Sequence, residues 1–191
     1  MRACSTFSAI IIALILSLPA AAQPTTVLLK TLVTDVPPGT HITVEARAKY
    51  VIVDPKGEGA KPNEPTDVFH LDGTGVLRWD FTVGPSGTTN QGHAEFHFPK
   101  PLVSAPSGLL AILEFPAKYS IVCPATGPSC TSRTRQIAFG IPIRSAIRSD
   151  VSRTLTPCLQ FRGGPHGVFV GIAPDCTDPR GMRSTKATPS H

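Results

Sequence analysis

The chain of 191 residues is 41% hydrophobic and 16% charged, with a formal net charge of +5. That length supplies one domain with a real core and is too short for two comfortable ones. Beyond the N-terminus no apolar run approaches the roughly 18 residues of a membrane-spanning helix, so a soluble product is expected.

The N-terminus reads as a signal peptide. Arg2 precedes the apolar stretch Ala9 to Leu18, Pro19 breaks it, and Ala20 and Ala22 stand at the −3 and −1 positions of an A-x-A site. Cleavage after Ala22 divides the chain into signal (1–22), folded β-sandwich domain (23–176) and a basic, aperiodic, disordered C-terminal tail (177–191). The expected location is secreted or extracellular, a periplasmic or wall-associated site included. Cys4 leaves with the signal; Cys123, Cys130, Cys158 and Cys176 remain. An even count in an oxidising compartment implies disulfides. Cys123 with Cys130 would close a short loop and Cys158 with Cys176 would bracket a hairpin, so this pairing is expected among the possible ones. No N-x-S/T site is present, because Asn63 and Asn90 are the only asparagines and neither heads one.

Twenty prolines and sixteen glycines favour short strands joined by loops over helices. Thr25 to Val33 is β-rich and stops at Asp35-Val36-Pro37-Pro38-Gly39. Thr40 to Val53 alternates cleanly, with Ile42, Val44, Ala46, Ala48, Tyr50 and Ile52 on one face, and predicts a long half-buried strand. Residues 54–65 read as an exposed loop. Val68 to Leu71 and Val76 to Val83 flank Asp72-Gly73-Thr74-Gly75, which resembles a hairpin turn. Trp79 shares an inward register with Leu77, Phe81 and Val83 and is read as a core anchor.

After a glycine-rich loop, His93 to Phe98 forms the next strand. Leu109 to Phe115 is a near-continuous apolar run, read as a central strand buried on both faces and closed by Pro116. Lys118 to Val122 leads into the Cys123–Cys130 loop. Arg133 to Ile143 resumes a β pattern in which Pro142 argues for an edge position. In Ile143 to Leu155 an apolar residue recurs every fourth position, which fits helix or strand; its three serines tip the reading to strand and turn. Cys158 to Arg162 and Val168 to Ala173 flank Gly163-Gly164-Pro165-His166-Gly167 as a hairpin. Eight or nine strands predict an all-β, single-domain antiparallel β-sandwich, Ig-like or jelly-roll-like, with a barrel as the alternative and little helix.

Charge is unevenly distributed. Gln23 to Glu114 holds seven bases and ten acids, whereas Phe115 to His191 holds ten bases and three acids. Within the basic half Arg133, Arg135, Arg144, Arg148, Arg153 and Arg162 would form a patch if their strands are adjacent. The planar guanidinium suits sulfate, phosphate and carboxylate, so an anionic glycan, a lipid surface or an acidic protein is the expected partner class. A solvated strand face that aids solubility is the competing account. Nucleic acid is disfavoured because few aromatics interleave with those arginines.

His93, Glu95 and His97 share one strand face and are the metal-ligand candidates, with His70 or His41 as further ligands. The two outer histidines are roughly 13 Å apart along an extended strand, too far for one ion. A polar solvent face is the preferred reading, and no cofactor is expected. Glu114 lies in an apolar run where burial would raise its pKa, and Asp80 and Glu45 are candidate second carboxylates of a glycosidase-like pair. The leading reading is a secreted, non-enzymatic binding module; the alternative is a small secreted hydrolase using these carboxylates.

Overall fold

The computed structural model describes residues 24–56, 66–85, 92–125, 130–143 and 154–177. The expected signal, the tail beyond 177, most of both loops at 57–65 and 86–91, and 144–153 of the ambiguous segment fall outside them. The described residues form a two-sheet β-sandwich with no closed barrel.

The first sheet contains β2 (His41–Ala46), β3 (Lys49–Asp54), β4 (Thr66–Asp72), β5 (Leu77–Thr82), β7 (Leu110–Val122) and β8 (Arg133–Pro142). The second contains β1 (Thr25–Thr34), β6 (His93–Phe98), β9 (Thr154–Leu155), β10 (Cys158–Gly164) and β11 (Gly167–Ala173). All pairings are antiparallel except those of β1 with β9 and β10. β10 and β11 form the expected hairpin, with Gly164 opposite Gly167.

The alternation from Thr40 to Val53 is realised as β2 and β3, one strand path interrupted at Arg47 and Ala48. Both halves pair with the same side of β7, and β8 pairs with its other side. Pro116 does not close β7, contrary to expectation; the strand runs through it to Val122. The Pro116 carbonyl accepts the Arg47 N–H at 3.0 Å. In an antiparallel pair a residue's N–H and C=O point to the same neighbour, so proline's missing donor falls at the β2/β3 interruption and leaves the β8 side intact. β7 is also not buried on both faces: Ala111, Leu113 and Phe115 are buried, Ile112 and Glu114 half-buried, and Leu110 exposed.

The expected hairpin at Asp72 to Gly75 is corrected. β4 pairs with β3 and β5 pairs with β2, both running in the same direction, so the chain bulges there rather than reversing. The bulge reaches the other sheet, where the Thr74 and His97 backbones exchange hydrogen bonds at 2.9 Å in both directions. Gly73 permits this approach, since a Cβ there would stand 2.8 Å from the Phe98 ring.

The inner faces carry the core. Val27, Leu29 and Val33 of β1, Phe96 and Phe98 of β6 and Phe161 of β10 pack against Ile42, Leu113, Phe115 and Ile121 of the opposing sheet. Ring pairs cross the gap: Phe96 with Phe115 at 6.1 Å, Tyr119 with Phe161 at 6.2 Å and Trp79 with Phe161 at 6.0 Å. Trp79 is partly buried and packs on the core as expected. Both expected disulfides are present, Cys123–Cys130 and Cys158–Cys176, and they fit an oxidising compartment.

Candidate functional site

Strand alternation that sends Ile42, Val44 and Ala46 inward sends Thr43 and Glu45 outward, and the same period operates on β5, β7 and β8 of the first sheet. Register then assembles rows across the sheet's open face. One row runs Arg78, Glu45, Lys118, Gln136; the next runs Asp80, Thr43, Ser120, Thr134. Beside the first row, Arg47 and Pro116 mark the β2/β3 interruption, with Ala138 beyond. Two shallow depressions, about 620 and 390 Å³, adjoin on this face and share Glu45 and Lys118.

The acids of this face are partly engaged. Glu45 Oε2 lies 3.9 Å from Arg78 Nε. Asp80 Oδ1 lies 3.5 Å from His41 Nε2, while His41 Nδ1 shares a 3.0 Å hydrogen bond with Thr82. The Thr134 hydroxyl donates to Ser120 at 3.0 Å. Arg47 and Lys118 are in no ion pair among the described residues, although both line the larger depression. Among the described residues the face therefore presents two cations outside any ion pair, with the Arg78-paired Glu45 in the same depression and hydroxyl and amide groups around them.

The sequence-nominated arginines are dispersed. Arg133 and Arg135 lie on β8 in the register that faces the opposing sheet, and Arg133 donates to the Val168 carbonyl of β11. Arg162 lies on β10 of the other sheet, opposite Thr34 and Phe169, on its outer face. Arg144, Arg148 and Arg153 lie outside the described residues.

On β6, His93, Glu95 and His97 share the outer face, with Glu95 Oε2 3.8 Å from His97 Nε2 and Thr26 Oγ1 3.4 Å from His97 Nδ1. His41 and His70 belong to the other sheet. Among the described residues no three metal-ligating side chains converge.

Glu114 is opposite Lys49 on the outer face of the first sheet. Burial pushes its carboxyl above the usual range; Lys49 opposes that shift and Asp67 adds to it. Lys49 itself pairs with Asp67 at 3.4 Å. Glu45 faces Lys118, four residues further along β7, which separates Glu114 from Glu45 by roughly 13 Å. Glu45 and Asp80 are instead diagonal neighbours on β2 and β5, about 7–8 Å apart at the backbone and somewhat less between their Cβ atoms.

Arg47 and Arg78 stand outside the basic half, and Lys118, though within it, is not one of its arginines, so none of the three is among the sequence candidates. The outward register of Arg47 and Arg78 was visible in the alternation; the pairing that joins them to Lys118 was not. No protein-family model matches the chain, and comparison with curated proteins and with solved structures finds no match.

Proposed function

We propose that this protein is a secreted, non-enzymatic recognition domain that holds an anionic glycan on the open face of the first sheet. The observation that carries the reading is the pair Arg47 and Lys118, which line one depression and form no ion pair among the described residues, beside Gln136 and the Arg78-paired Glu45, with Ser120 and Thr43 adjacent. Guanidinium and ammonium groups bind sulfate or carboxylate, and neighbouring hydroxyls and amides suit a hydroxyl-rich chain. A shallow face lets a polymer cross it, as an enclosed pocket would not. A lipid surface is less well served, because none of the exposed large hydrophobics of the described residues lines either depression, although Leu110 and Val122 of β7 share the outward register of this face. Secretion rests on the signal-like N-terminus, and the two disulfides agree with it.

The test is binding of the oxidised protein to sulfated and uronic-acid glycans across a salt series. Saturable, salt-sensitive binding should fall at least tenfold in Arg47→Gln/Lys118→Gln and persist in Arg135→Gln/Arg162→Gln. Equal loss in both variants, or binding by neither parent nor variant, would overturn the reading.

The diagonal placement of Glu45 and Asp80 on one face favours one second reading, a glycoside hydrolase using this carboxylate pair. Turnover of a glycan abolished by Asp80→Asn and by Glu45→Gln would establish it in place of simple binding.

A further inference from the structure

A separate cavity of about 300 Å³ lies against the outer face of the second sheet, lined by Leu32, Thr34, Asp35, Gln160, Arg162, Cys176 and Thr177. Leu32, Thr34, Gln160 and Arg162 come from the outward register of paired strands β1 and β10. The Cys158–Cys176 disulfide holds the segment after β11 beside them and supplies the remaining wall. Thr177 is fixed there by Asp175, whose carboxylate accepts both its N–H at 2.9 Å and its hydroxyl at 2.6 Å.

Asp35 is held in position by the backbone. It sits at φ +55°, a left-handed conformation that Asp and Asn tolerate better than most residues. Its carbonyl packs directly over Gly163, where any Cβ would collide with it. Asp35 thus follows Thr34, the register partner of Arg162, with its backbone set by that contact.

The electrostatic arrangement is the informative part. Asp35 and Arg162 carry opposite charges and line the same cavity, yet form no ion pair with each other or with any described residue. Both side chains are exposed, and two opposite, unbridged charges at the rim of one half-open space match a ligand carrying both complements. We propose that this cavity binds a free α-amino acid, its carboxylate on Arg162 and its ammonium on Asp35, with Leu32 as an apolar surface for the side chain. The volume is at the small end of ligand pockets, which suits a ligand of that size. The nearly buried Gln160 amide and the Thr34 hydroxyl border the same space. The site is on the opposite sheet from the glycan face and stands independently of that reading.

Titration calorimetry of the oxidised protein tests it with L-leucine, L-glutamate and L-lysine, beside N-acetyl-L-leucine and L-leucinamide. Saturable binding of a free amino acid is expected, and blocking either terminus should weaken it roughly tenfold or more. In Arg162→Gln the amide and the free acid should bind equally. In Asp35→Asn, which keeps a residue suited to φ +55°, the acetyl and free forms should bind equally. Saturable binding by none of the three free amino acids overturns the proposal. So does undiminished binding of both blocked forms, or unchanged discrimination in both variants at unaltered melting temperature.

Discussion

Arg133, the first residue of β8, donates from its guanidinium to the backbone carbonyl of Val168 near the start of β11. β8 and β11 belong to different sheets, so this bond links them at one edge of the sandwich. A charge-assisted hydrogen bond to a backbone carbonyl of an edge strand should contribute more than a solvated surface arginine. Arg133→Gln is therefore expected to lower unfolding stability by about 1–2 kcal/mol. Arg135→Gln, two residues along and exposed, should stay within roughly 0.5 kcal/mol. Urea melts of the two variants check this; equal effects would mean the link carries no weight.

Glu114 gives the fold a pH dependence of definite sign. Its folded-state carboxyl is raised by burial, so the native state holds the proton more tightly than the unfolded chain. The contribution to stability is full below the ordinary carboxylate pKa and is lost as pH rises through the raised folded value. Glu114→Gln cannot ionise. It should be more stable than the parent at neutral pH, with the difference shrinking as pH falls through the carboxylate range. Thermal melts from pH 3 to 8 would show it, and a gap that widens on acidification would contradict the assignment.

Much of the fold was legible because local alternation and turn chemistry agree with the tertiary structure. Ile42, Val44 and Ala46 declared an inward face, Pro142 an edge strand and Gly163-Gly164-Pro165-His166-Gly167 a hairpin; each is found. Asp72-Gly73-Thr74-Gly75 misled because its glycines are set by contact with Phe98 and Glu95 of the other sheet, which no local window contains. Pro116 misled for the same reason, since its missing N–H is harmless only where the neighbouring strand is interrupted. The candidate glycan face was half legible: alternation exposed Glu45, Arg47, Arg78 and Asp80, but adding Lys118 and Gln136 requires long-range register. Asp35 and Arg162 are 127 positions apart, and only the parallel β1–β10 pairing unites them.

Thr40 and Thr31 make a controlled comparison, since both are fully buried. The Thr31 hydroxyl donates to the Gly92 carbonyl at 2.9 Å and accepts its N–H at 2.7 Å. The Thr40 hydroxyl has no partner among the described residues. A buried unpaired hydroxyl carries its desolvation cost without return, whereas removing a paired one strands its partners. Thr40→Val, nearly isosteric, should raise stability by about 1 kcal/mol, and Thr31→Val should lower it by about 1–3 kcal/mol. Opposite shifts in the urea midpoint at constant m-value are the expected observation; shifts of the same sign would refute the comparison.

Gly75 and Gly108 separate backbone strain from collision. Both have positive φ, +121° and +89°, so alanine at either position is strained. At Gly108 an added Cβ would meet no atom within 4 Å, whereas at Gly75 it would collide with the Glu95 carbonyl of β6 and approach the Phe96 ring. Gly108→Ala should therefore cost about 1–2 kcal/mol, the conformational term alone. Gly75→Ala must also push the bulge off β6, breaking the Thr74–His97 bridge, and should cost at least about 3 kcal/mol in total. Hydrogen exchange gives the sharper readout. In Gly75→Ala the Thr74 and His97 amides should lose protection beyond the global change, and in Gly108→Ala they should follow it. Protection retained at both amides in Gly75→Ala would show that the crossing between the sheets does not depend on that glycine.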